Sequence, residues 1–73
     1  MVTRENAREI FTYHAPSMED MQNHIELREA AYLFADTILR LTPVGSDQQA
    51  AIRKVREALM TANAAIALSN IQY

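Results

Sequence analysis

Residues Leu41-Thr42-Pro43-Val44-Gly45-Ser46-Asp47-Gln48-Gln49 carry a helix stop and a helix start back to back. Pro43 cannot continue a helix, because its ring removes an amide donor and clashes with the preceding turn. Ser46-Asp47-Gln48-Gln49 then has the S-x-x-Q form of a capping box, in which serine hydroxyl and glutamine amide reciprocally satisfy free backbone N–H groups. Gly45 loosens the turn between them. The stretch predicts one helix ending at Thr42-Pro43 and a second starting at about Ser46. A connection as short as Thr42 to Gly45 forces the two antiparallel.

Working upstream, Pro16-Ser17-Met18-Glu19-Asp20 offers a start signal for the first helix. Ser17 can cap, acids fill the first turn, and Pro16 keeps Ala15 extended. Apolar residues then recur at Leu27, Ala31, Phe34, Ile38 and Leu41, spaced four and three, so one stripe stays on one face. Downstream, Ile52, Val55, Leu59, Ala62 and Ile66 form the matching stripe, running to roughly Ser69 or Asn70. At about 1.5 Å per residue each helix spans roughly 35 Å. Residues 3–10 suit a short helix with Thr3 as cap and Ala7 and Ile10 turned inward. The expectation is an all-α single domain: an arm at 1–16, an antiparallel two-helix hairpin at 17–69 and a tail at 70–73.

A chain of 73 residues rarely builds a core worth more than about 3 to 5 kcal/mol. With no cysteine and no zinc-type spacing, neither disulfide nor metal can reinforce it, which leaves assembly with further copies. A second apolar face on the first helix points the same way: Met21, Ile25, Tyr32, Ala35 and Leu39, interrupted by Arg28. Either the N-terminal arm folds back over this face or a neighbouring subunit covers it, and both can hold. Ala58, Ala62, Ala64, Ala65 and Ala67 suit a close helix crossing around Asn63. Asn63 is then an exposed or singly satisfied amide, or a buried amide specifying a symmetric contact.

The sequence argues against catalysis. One glycine excludes a Gly-rich phosphate loop, no cysteine is available as nucleophile, and no H-x-x-x-H or E-x-x-H pattern marks a metal. His24 reads as a partly exposed helix histidine. Arg53-Lys54-Val55-Arg56 reads as a solvated face, with Glu57 placed to pair Arg53 at i+4. A formal charge of −2 argues against a general binder of DNA or RNA polymers. No apolar run reaches the roughly 18 residues of a membrane span, and the N-terminus lacks a signal-peptide core.

One segment stays unexplained: Phe11-Thr12-Tyr13-His14-Ala15-Pro16 holds two of the five aromatics and one of the two histidines. If extended, it turns Phe11 and Tyr13 to one side and Thr12 and His14 to the other. Phe11 reads as a plug for the open end of the hairpin. Tyr13 precedes a helix N-terminus, where anions are favoured, and its ring suits stacking on a base. Arg28, set in an apolar seam, either snorkels to water or meets an anionic partner.

Tyr13-His14-x-Pro16, the Leu27-Arg28 step, Thr42-Pro43 and the run Met60-Thr61-Ala62-Asn63-Ala64-Ala65-Ile66-Ala67 together resemble a known family. It comprises the small phage proteins that sponge up cyclic oligonucleotide messengers of the bacterial CBASS defence, and the likeness covers roughly residues 11 to 68. The resemblance implies helical hairpins assembled into a compact homohexamer that holds cyclic dinucleotides at subunit interfaces without cleaving them. The family's base-stacking tyrosine falls on Tyr13, and its phosphate-contacting lysine falls on Arg28, where arginine keeps the charge and adds a bidentate grip. His14 either adds a hydrogen bond to the ligand or caps the following helix. Some members hold cyclic trinucleotides through a further arginine and threonine, at positions that here read Leu68 and Ala30.

The sequence reading is therefore a non-enzymatic sponge for cyclic dinucleotides, needing no cofactor and no metal. It would act in the cytoplasm of the infected bacterial host as a homo-oligomer, with Tyr13, Arg28 and His14 as its ligand-binding residues. The alternative is a structural or protein-interaction hairpin docking a host or phage protein.

Overall fold

The computed structural model describes residues 1–12 and 15–69. Within them the chain forms α1 (Ala7–Ile10), α2 (Met18–Leu41) and α3 (Ser46–Ala67). Helices α2 and α3 pack along one another as the expected antiparallel hairpin. No strand occurs among the described residues.

Ser17 starts α2 through a reciprocal cap. Its hydroxyl accepts from the Asp20 N–H at 3.0 Å, and the Asp20 carboxylate accepts from the Ser17 N–H at 3.3 Å. An aspartate fills the place usually held by glutamate or glutamine. At the other end Thr42 donates its hydroxyl and its N–H to the Ile38 carbonyl at 2.6 and 3.0 Å. Its backbone then turns extended, as the residue before a proline must, and α2 ends at Leu41.

The start of α3 departs from the Ser46–Gln49 expectation. Gly45 is the N-cap, with extended backbone and no side-chain cap bond, and Ser46 is already inside the helix. Its hydroxyl is therefore one position too late to act as the cap. Gln48 secures the connection instead: it is buried, donates its amide to the Thr42 carbonyl at 3.2 Å, and accepts from the Gln49 amide at 3.3 Å. A long amide reaching back across the turn takes over the role assigned to the serine.

The N-terminal arm also differs from its expectation. Asn6, not Thr3, is the N-cap of α1 and makes no side-chain cap bond; Thr3 exchanges bonds with Asn6 at 2.7 and 3.3 Å ahead of the helix, which is only four residues long. Four residues cannot offset the cost of helix nucleation without packing, and α1 packs against neither long helix. The arm helix therefore does not cover the second face of α2. Phe11 plugs nothing, being 88% exposed, and Phe11 and Thr12 are in turn conformation, bonded back to Arg8 and Glu9, rather than extended. Residues 13, 14 and 70–73 lie outside the described residues, and with them the expectations for Tyr13, His14 and the tail.

No hydrophobic residue among those described is buried. Leu27, Phe34 and Ile38 from α2 and Val55, Leu59 and Ala62 from α3 line an open apolar groove of about 550 Å³ along one side of the hairpin. Phe34 stays 59% exposed and Leu41 69% exposed, so the stripe that the spacing assigned to the helix seam lies partly open. The dimensions agree. A compact domain of this length has a radius of gyration of about 11 Å, whereas this chain has 15.6 Å and a smallest extent of 15 Å. It is one layer of helices, and a stable core needs two.

Candidate ligand-binding site

Arg28 sits in the middle of α2 and is exposed. The capped, 24-residue helix fixes its backbone. One turn before it lies His24 and one turn after it Tyr32, the latter 65% exposed. Met21, Ile25 and Leu39 continue the same side of α2, all exposed. Among the described residues the Arg28 side chain makes no ion pair or hydrogen bond. A guanidinium on an apolar face with its donors unspent can grip an anion in bidentate fashion, provided that water is displaced around it.

The sequence reading missed a contact close by. His24 is partly exposed, as its place in the helix suggested, but its Nδ1 lies 2.7 Å from Oδ1 of Asn63 on α3. Asn63 is accordingly a half-buried, singly satisfied amide, one of the two alternatives left open for it. The pair ties the far ends of the hairpin together. A signal for it existed in the chain: His24 precedes Thr42 by 18 residues and Asn63 follows Gly45 by 18, so folding at that connection brings them level.

Of the sequence-expected residues, then, the structure places Arg28 on an open face of α2 and does not describe Tyr13 or His14. Their position relative to Arg28 is carried by the sequence alone. Ala30 lines the apolar groove, and Leu68 closes α3 as its C-cap. Neither offers the polar side chain used for cyclic trinucleotides in the resemblance above. Arg53 and Glu57, expected as a pair, are both exposed. Among the described residues no group of three or more histidine or acidic side chains is arranged to hold a metal ion. Among the described residues no helix is long and apolar enough to cross a membrane.

Fold and surface together define an all-helical hairpin module that presents a cation on an apolar face. The comparisons supply its kind. The family model described as the Acb2/Tad1 hairpin domain matches residues 4–67. No curated protein and no solved structure matches the chain. With most of its length matched, the chain belongs to the Acb2/Tad1 hairpin family, the anti-CBASS sponges that sequester cyclic oligonucleotides.

Proposed function

We propose that this protein sequesters cyclic dinucleotides without cleaving them, acting for a phage in the cytoplasm of its bacterial host. The observation that carries the reading is the family match over residues 4–67. Tyr13 stacks on a base, Arg28 neutralises a phosphate, and His14, with Ser17 already capping α2, adds a hydrogen bond to the ligand. The ligand is held between subunits of a homo-oligomer, a hexamer in the favoured form. The open groove and the absence of a buried hydrophobic residue among those described support assembly, since each large apolar side chain taken out of water contributes about 1.5 to 3 kcal/mol.

Two symmetry-related sites would present two tyrosines and two arginines to a ligand with two bases and two phosphates. Leu68 and Ala30 argue against the trinucleotide pocket. The exposed apolar faces also suit a second reading, a hairpin that docks a host or phage protein. Calorimetric titration against cyclic di- and trinucleotides separates the two. Saturable binding of a cyclic dinucleotide, with no trinucleotide binding, is the expected result. No heat with any of them leaves the protein-docking hairpin standing, and tight trinucleotide capture contradicts the role given to Leu68 and Ala30.

A further inference from the structure

Resting on the cyclic dinucleotide reading, we propose that His24 is a further ligand-contacting residue of the same site, accepting a hydrogen bond from a ribose hydroxyl while Arg28 holds the neighbouring phosphate. His24 Nδ1 lies 2.7 Å from Asn63 Oδ1. An amide oxygen only accepts, so Nδ1 carries the proton and donates. In the neutral ring this leaves Nε2 with a bare lone pair, an acceptor of fixed character.

That lone pair is free and reachable. The His24 side chain has no hydrogen bond besides the one to Asn63, yet no buried side-chain nitrogen or oxygen among the described residues lacks a partner. Nε2 is therefore not fully buried, and the residue as a whole is half-exposed beside α3. An imidazole anchored at one nitrogen loses little further freedom when the other is engaged, which favours binding. Arg28 follows His24 by four positions, the spacing that makes side chains neighbours on a helix.

The chemistry of the two groups is complementary. Arginine offers only donors, which suits phosphate oxygens and cannot satisfy a hydroxyl proton. Each nucleotide of a 3′,3′-linked ring has a 2′-hydroxyl left free next to its phosphate. A donor fork and an acceptor nitrogen one helical turn apart match that pair. This makes His24 a reader of ribose against deoxyribose.

Two experiments test the assignment. Calorimetry on the full chain would compare 3′,3′-cyclic GMP–AMP with its 2′-deoxy counterpart. The unaltered protein is expected to bind the ribose form about fivefold more tightly, the worth of one ordinary hydrogen bond. His24→Phe, which keeps a ring in the slot without an acceptor, should bind the two alike. Equal affinities in the unaltered protein, or an undiminished preference in His24→Phe, overturn the role of His24 alone. No binding of either nucleotide overturns the cyclic dinucleotide reading and this inference with it. The second experiment, ¹⁵N spectroscopy of the free protein, should show His24 protonated at Nδ1 and bare at Nε2. The opposite tautomer contradicts the proposal whatever the ligand does.

Discussion

At the scale of single residues the account rests on Tyr13 and Arg28. Replacing Tyr13 with alanine should weaken cyclic dinucleotide capture by about 1 to 3 kcal/mol, the range for loss of one base–aromatic stack, as read by titration calorimetry. Arg28→Lys should retain most of the affinity through its charge, whereas Arg28→Gln should lose about 1.5 to 3 kcal/mol, the worth of hydrogen bonds to a charged group. If both arginine variants bind as the parent does, Arg28 is a snorkelling surface residue and the phosphate lies elsewhere. These residues stood out in the sequence because each violates its surroundings: an aromatic pair before a helix start, and a cation in an apolar seam. His24 violated nothing and read as a partly exposed helix histidine with no partner, since Asn63 is 39 positions away and becomes adjacent only once the hairpin has closed.

At the scale of elements, proline, serine and heptad-like spacing made α2, α3 and their antiparallel packing legible before any coordinates. The start of α3 was less so. Ser46 and Gly45 compete for the cap, and the outcome turned on Gln48 reaching Thr42, a tertiary contact that no local pattern encodes. Gly45 has extended backbone, and a Cβ added there would meet nothing within 4 Å. Gly45→Ser should therefore stabilise the protein by about 0.4 to 1 kcal/mol, by restricting the unfolded chain and adding a capping hydroxyl. Chemical denaturation would show it as a higher midpoint with unchanged slope. The His24–Asn63 bond calls for a double-mutant cycle with alanine at each position. A coupling of about 0.5 to 1.5 kcal/mol is expected, and additive effects would mean that the two side chains do not cooperate in solution.

The whole molecule presents the largest gap between what one chain contains and what a folded protein needs. Its helices are well specified, yet the hairpin leaves its apolar stripes on the surface. Composition foresaw the need for help. It did not foresee that the arm helix would stay apart from the hairpin, because the fate of a four-residue helix is decided by contacts and not by its own sequence. If copies of the chain supply the missing layer, the thermal midpoint should rise with protein concentration, as mass action requires. Phe34→Asp should lower both helicity and assembly size in light scattering. A midpoint constant from micromolar to millimolar concentration would place the second layer elsewhere.

The most direct measurement of the central claim is the fate of a captured nucleotide. The protein is incubated with a cyclic dinucleotide, freed of unbound ligand, and heated until it denatures, and the released small molecules are separated by chromatography. The account predicts intact cyclic dinucleotide in amounts that track the protein. Linear products in the eluate, or no nucleotide retained at all, would contradict it.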